Sequence, residues 1–338
     1  QHDAAHLFSF EYFGAHSMTT IAITGIGGFI GLRMAERALA LGWQVQGLDV
    51  SLTAAERAHA LGVQVTVGDI NDVSAVRTAL SGADIVFHTA AIVEEDGNRK
   101  DYERVNVDGT RTVCSIAREL GARQFVHLSS VMVYGFEYPA DVREDGPVDG
   151  QGNAYNDTKL ASEGVALAFN APDFAVIVIR PGDVYGHGSV PWLLRPIDLL
   201  KRSLFVLPNY GNGVINHVHI DNLLDGVFLA TDKATGGDIF NITDGIATPC
   251  HEFFLWHAKM AGKTKVPAVA AWALTAFLTA SKPMFSRLGM APLASAAAIK
   301  FLLRRERYSI DKARRVLGYE PRISLVEGMR AIAAERGV

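Results

Sequence analysis

The 338-residue chain is 49% hydrophobic and 20% charged, an ordinary globular balance with enough apolar residues for a large core. Its formal net charge of −4 offers no basic footprint, which sets nucleic acid aside as a partner. Cys114 and Cys250 are the only cysteines and lack metal-ligand spacing, so no metal is expected and a reducing, cytoplasmic setting is implied.

Residues 1–17, with His2, His6 and His16, do not resemble the rest and read as an expression leader. The first organised stretch is the apolar run Ile21-Ala22-Ile23 followed by Thr24-Gly25-Ile26-Gly27-Gly28-Phe29-Ile30-Gly31, a strand, a tight turn and a helix start. Gly25 permits the turn, Gly28 lacks the Cβ that keeps backbone from phosphate, and Gly31 lets the helix lie on the strand. The helix N-terminus, entered through Phe29 and Ile30, then presents N–H groups and partial positive charge to a pyrophosphate. The next strand, 44–49, ends in Asp49, at the offset of about twenty residues expected of a carboxylate that holds adenosine ribose hydroxyls. That carboxylate repels a 2′-phosphate and favours NAD. NADP is the alternative, because Arg33 and Arg57 are close in sequence.

Strand and helix patterns then alternate: strand 63–67, helix 73–80, strand 83–88, helix 102–120, strand 124–128 and strand 174–180. Asp69, beside Ile70, reads either as a partner of the adenine amine or as a helix cap. Thr89-Ala90-Ala91 is small enough for a cofactor to pass over, and Asn106 on the long helix is a packing residue or a cofactor contact. Ser129 and Ser130 stand at one strand end, and Pro181-Gly182, with Val184 beyond, at another. Such alternation predicts an α/β fold, a doubly wound parallel Rossmann sheet whose ligand crevice lies outside the strand C-termini. The expected division is a cofactor domain over 18–186, completed by about 219–246, and a smaller, mostly helical substrate lobe over 187–218 and 247–338. The apolar stretches 266–280 and 284–303 suit an apolar substrate or plain helix packing, and the first is too short for a membrane span. The basic run 300–307 reads as a solvated helix face, with a peripheral membrane contact as the other reading.

Tyr155 and Lys159 are one helical turn apart and share a face. General acid–base work by a phenol at neutral pH needs its pKa lowered by roughly three units, about 4 kcal/mol, and a neighbouring ammonium acts in that direction.

These residues resemble the extended short-chain dehydrogenase/reductase superfamily, which holds the NAD-dependent epimerase/dehydratases. The likeness is nearest to its 3β-hydroxysteroid and sterol dehydrogenase branch. It rests on the glycine motif, Asp49, Asp69, Asn106-Val107-Asp108-Gly109-Thr110, Ser129-Ser130-x-x-Val133-Tyr134-Gly135, Tyr155-x-x-x-Lys159, Arg180-Pro181-Gly182-x-Val184-Tyr185-Gly186 and Val218-His219-Ile220-Asp221-Asn222. The resemblance implies Tyr155 as acid/base and Ser130 as hydrogen-bond partner of the substrate oxygen. It implies Lys159 as the group that lowers the phenol and holds the nicotinamide ribose, Pro181 and Gly182 beside the nicotinamide amide, and a homodimer. The implied activity is hydride transfer between NAD and an apolar secondary alcohol or ketone. A NAD-retaining nucleotide-sugar 4-epimerase is the alternative, and a catalytically silent dinucleotide sensor the third reading. Val131 and Met132 stand where dehydratases carry Asp-Glu, which disfavours water elimination.

Overall fold

A computed structural model describes residues 19–93, 97–287 and 296–338; the expected leader at 1–17 and part of the apolar stretch 284–303 lie outside the described residues. The short β-branched runs become strands β1 (Thr20–Thr24), β2 (Gln44–Asp49), β3 (Gln64–Val67), β4 (Ile85–His88), β5 (Gln124–Leu128) and β6 (Ala175–Pro181). Between them lie helices α1 (Phe29–Ala40), α2 (Leu52–His59), α3 (Val73–Leu80), α4 (Arg99–Tyr102), α5 (Thr110–Glu119) and α6 (Ala154–Leu167). The chain continues through β7 (Asp183–Tyr185), α7 (Arg195–Lys201), β8 (Val214–Ile215), β9 (His217–His219), α8 (Ile220–Lys233), β10 (Ile239–Ile242) and β11 (Thr248–Pro249). It ends with α9 (Cys250–Met260), α10 (Ala271–Arg287), α11 (Ala296–Leu302) and α12 (Leu325–Glu335).

Seven strands form one parallel sheet in the order β10-β6-β5-β4-β1-β2-β3. Its interior strands are apolar on both faces because both are covered. Ala22, Val86, Phe125 and Val176 pack with Val76, Val113 and Ala117 of α3 and α5. Ile21, Ile23, Phe87, Val126 and Ile177 face the other way, onto Met34 and Ala35 of α1 and Val227 of α8. This is the doubly wound arrangement, with strand order reversing between β1 and β4; the crevice outside that reversal is where such sheets bind ligands. Beyond β6 a third cluster, including Leu193, Ile197, Phe253, Phe254 and Met329, packs around Tyr185.

Three local readings take a definite form. The helix predicted over 102–120 contains a π-helical stretch, Glu103–Gly109, between α4 and α5. Its extra residue per turn suits a position where Gly109 must let Ile70 close: a Cβ there would stand 2.3 Å from the Ile70 Cδ1. Asp69 is not the cap of α3; Asp72 is, accepting from the backbone N–H groups of Ser74 and Ala75. In the basic run 300–307, Lys300, Arg305 and Arg307 are exposed as expected of a solvated stretch, but α11 stops at Leu302 and the Arg304 side chain is fully buried. Its partner, Asp183, lies far off in sequence and supplies the charge that makes this burial tolerable.

Candidate active site

At the end of β1, Gly25 adopts φ +68°, and a Cβ there would press on the Ala90 backbone at 3.0 Å. A Cβ on Gly31 would stand 2.4 Å from the Gly25 carbonyl oxygen, so only glycine lets α1 begin this close to the turn. Gly27 carries a constraint that the motif alone did not announce: its Cβ would overlap the Ala54 carbonyl of α2 at 2.1 Å. Gly28 is exposed and starts α1 with no side chain capping its N–H groups. Exposed backbone donors at a helix start, walled by glycines, fit the diphosphate of a dinucleotide.

Asp49 is buried at the end of β2, its two carboxylate oxygens accepting from the backbone N–H groups of Gly27 and Ser51 at 3.0 Å each. It therefore stands against the glycine turn, where the ribose reading needs it. Arg33 turns away, held by Asp221 at 2.8 Å and Glu36 at 2.7 Å. Arg57 donates to the Gly27 carbonyl at 2.8 Å. Asp69 accepts from Asn71 and pairs with Arg104 at 2.9 Å; burial works upward on its carboxyl, and Asn71 and Arg104 outweigh it, leaving the pKa below the ordinary value. Ile70 is buried against Gly109. Thr89 donates to the Thr24 carbonyl at 2.7 Å, and Ala90 donates its N–H to the Thr24 hydroxyl at 3.3 Å, which fixes the turn carrying Ala91. The ring of Phe29 meets Gly186, whose Cβ would come within 3.3 Å of it, and Ile30 packs on the apolar core. Asn106 is buried and fully engaged: its Oδ1 accepts from Ile92 at 2.8 Å, and its Nδ2 donates to the Ile92 carbonyl and the Thr158 hydroxyl. It clamps the loop after β4 onto α6.

The other end of the crevice follows β5 and β6. Ser130 is buried and accepts from the Met132 N–H at 3.1 Å. Tyr155 keeps part of its surface to solvent, yet burial at its hydroxyl pushes the phenol up; Ser130 pulls it down, while Tyr102 and Asp183 push further up. Lys159 donates to the Leu128 carbonyl at 2.6 Å, and burial brings its ammonium down to about 8 against the opposing charge of Glu163. Pro181 ends β6, and a Cβ on Gly182 would overlap the Asn216 carbonyl at 2.2 Å. Val184 is buried in the same core as β9.

Sequence reading missed the charges beneath these groups. Glu163, one turn after Lys159, accepts from the Ser129 hydroxyl at 2.5 Å and holds Arg180 by two bonds of 2.9 and 2.7 Å, all of it buried. Arg180 continues to the Tyr134 hydroxyl at 2.7 Å, which donates to Asn241 at 2.9 Å. Asp183 accepts from Arg304 at 2.5 Å and from the Asn216 N–H at 2.9 Å. Burial of an arginine demands a carboxylate, and that rule was the available signal for Arg180 at the end of an apolar strand. No comparable local signal marked Arg304.

A dinucleotide cradle after β1, with Ser130 just past β5 and Tyr155 and Lys159 on α6, marks a nicotinamide-dependent enzyme of the short-chain dehydrogenase type. Residues 21–243 match the NAD dependent epimerase/dehydratase family, and the chain belongs to it. Its cofactor is NAD. A ketoreductase of Stigmatella aurantiaca acting on 4-hydroxy-2-methyl-3-oxo-4-farnesyl-3,4-dihydroquinoline-1-oxide is 29% identical over 92% of this chain and 94% of its own. A 3 beta-hydroxysteroid dehydrogenase/Delta 5-->4-isomerase of Mycobacterium tuberculosis is 30% identical over 91% of this chain and 89% of its own. A UDP-glucose 4-epimerase of Mycolicibacterium smegmatis is also 30% identical, over 91% and 95%. Among solved structures, the UDP-glucose 4-epimerase of Thermotoga maritima shares the fold with a TM-score of 0.76 at 20% identity, covering 94% of this chain and 98% of that one. Among the described residues no helix is long and apolar enough to cross a membrane.

Proposed function

We propose that the protein is a freely turning-over NAD-dependent dehydrogenase or ketoreductase for an apolar secondary alcohol or ketone of the 3β-hydroxysteroid kind. The observation that carries this reading is electrostatic. Both buried arginines at the reaction end are already matched by carboxylates, Arg180 by Glu163 and Arg304 by Asp183, and such pairing suits an uncharged substrate better than a diphosphate. Further support comes from the partly buried apolar groups beyond β6, among them Trp192, Phe205 and Leu302, which suit an apolar substrate. On this reading 18–186 with 219–246 holds the cofactor, and 187–218 with 247–338 holds the substrate.

Bound NAD+ supplies the hydride acceptor and a positive ring near the phenol. In the oxidative direction the Ser130 hydroxyl donates to the substrate oxygen, and the Tyr155 oxygen takes the carbinol proton as the carbon loses its hydride. Lys159, tied to Leu128, fixes the face of α6 that carries Tyr155, whose phenol burial holds above its ordinary value, so the positive ring of bound NAD+ is the charge that would draw it down. The epimerase reading is the second one, favoured by the 30% identity to the mycobacterial enzyme. The test supplies purified protein with NAD and either dehydroepiandrosterone or UDP-glucose. Continuing NADH formation with the steroid, many equivalents per chain, is expected. UDP-galactose formed without net NADH, and no reduction with the steroid, would overturn the proposal.

A further inference from the structure

Among the described residues, the exposed large aromatics are Trp272, Tyr210 and Phe277, at 77%, 62% and 58% of their surface. The backbone gathers them on one side of the molecule. The segments 207–210 and 267–269 run side by side: Leu207 donates to the Pro267 carbonyl at 2.9 Å, Val269 to the Leu207 carbonyl at 3.0 Å and Tyr210 to the Val269 carbonyl at 3.0 Å. Along them Leu207 and Ala268 turn inward onto the apolar cluster around Tyr185, while Val269 and Tyr210 turn outward. Two residues past Val269, α10 begins. Leu278 and Ser281 are its inward residues, whereas Trp272, Ala276, Phe277 and Ala280 are exposed. Aromatic rings grouped in water mark a surface that something else covers.

The charge around this face is one-sided. From Phe253 to Arg305 the sequence holds eight lysines and arginines and no aspartate or glutamate, in a chain whose net charge is −4. Residues 266–281 carry no charge, and exposed Lys263 and Lys265 stand just before them. On the adjoining segment exposed Lys201 and Arg202 precede exposed Leu204, and the carboxylate nearest in sequence, Asp198, is engaged by Arg202 at 3.1 Å. An uncharged aromatic face bordered by cations is complementary to a surface with an apolar interior and a negative skin. A second copy of the chain meeting this face through a two-fold axis would bring the same cations against it. No described helix is long and apolar enough to cross a membrane, so the fitting geometry is one that lies on it.

We propose that α10, with the adjoining segments 204–210 and 263–269, is a docking face for an anionic lipid bilayer, with Trp272, Phe277 and Tyr210 entering the headgroup layer and Lys263 and Lys265 meeting the lipid phosphates. The face lies on the outer side of the apolar cluster that the functional reading assigns to substrate, and a bilayer dissolves apolar alcohols and ketones. Docking itself requires no substrate.

The experiment floats NAD-loaded full-length protein with vesicles of phosphatidylcholine, alone or mixed with phosphatidylglycerol. Wild type is expected on the mixed vesicles far more than on phosphatidylcholine alone, and less so as salt is raised. Trp272→Ser/Phe277→Ser should weaken partition to the mixed vesicles about tenfold or more. Lys263→Gln/Lys265→Gln should weaken it by about fivefold per lysine, leaving phosphatidylcholine unaffected. Unchanged NAD affinity identifies the variants as folded. Wild type absent from both vesicles, equal on both, or matched by both variants would overturn the proposal. A dimer that ignores vesicles and dissociates in Trp272→Ser would overturn it too, and assign the face to a second copy. Turnover plays no part in the readout, so a wrong substrate class leaves the result standing, and a failure to dock leaves the dehydrogenase reading standing.

Discussion

The glycine turn at one end of the crevice and the Ser130–Tyr155 site at the other share one sheet edge and are built on opposite principles. The turn works by what is missing: three glycines leave out Cβ atoms that would strike backbone at 2.1 to 3.0 Å, and the exposed donors at Gly28 are main-chain. The reaction end works by what is buried: Lys159, Glu163, Arg180, Asp183 and Arg304 all lie out of solvent, each held by a specific partner. Shape made of absent atoms is tolerant of charge and intolerant of one added carbon. Buried charge behaves the other way round.

The largest expected effect is at the reaction end. On the proposed mechanism Tyr155→Phe removes the proton acceptor, and turnover should fall by roughly 10²–10⁴-fold with NAD affinity kept, measured as kcat alongside a cofactor titration. Next comes the ion pair beneath it. Glu163→Gln leaves the Arg180 charge buried and under-matched and releases Ser129, which should lower unfolding stability by about 3–5 kcal/mol in urea titrations. An unchanged midpoint would mean that the pair is wetter than its geometry says.

The turn should break in the complementary manner. In Gly31→Ala the new Cβ meets the Gly25 carbonyl 2.4 Å away, a backbone atom that cannot swing aside. The overpacking cost is about 1–3 kcal/mol, with NAD affinity lost and the Tyr155 environment unchanged. Equal loss of both would say that the two ends are one unit rather than two.

The smallest effect per step is acid sensitivity. Burial holds His88 down to about 3, with Lys159 adding to it, and His257 down to about 4; His127, stacked on His88 at 5.6 Å, is held well below its ordinary value by burial, Lys159 and His88. Unfolded histidines bind protons below about 6.5 while these native ones stay neutral, so stability is lost as pH falls from about 6.5 toward the folded values. The slope is roughly 1.4 kcal/mol per pH unit for each such histidine. Urea midpoints at pH 7, 6 and 5 measure it, and a flat series would contradict it.

How much of this was legible in the sequence follows the same divide. The cradle could be read because its parts are local: Gly25, Gly28 and Gly31 sit within one turn, and Asp49 ends the next strand. Tyr155 and Lys159 were legible because helical spacing puts them on one face. The alternation of strands and helices disclosed the parallel sheet, including the return of α8 and β10 after the alternation broke. Glu163, Asp183 and Arg304 were not legible, because a buried charge is explained only by a partner that folding brings to it: Arg304 reaches Asp183 across 121 positions of sequence. Asn106 carried an ambiguous signal for the same reason, since its amide answers to the loop at Ile92 and to Thr158. Local chemistry announces itself in a motif, whereas electrostatic matching appears only in three dimensions.

The most direct test of the account traces the hydride itself. NADH deuterated at the transferring position of the nicotinamide is mixed with wild-type protein and a 3-ketosteroid, and the product is examined by mass spectrometry and NMR. The account predicts one deuterium on the new carbinol carbon, in net amounts exceeding the protein and absent with Tyr155→Phe. Deuterium that stays on a tightly held cofactor, while UDP-glucose is isomerised under the same conditions, would contradict it.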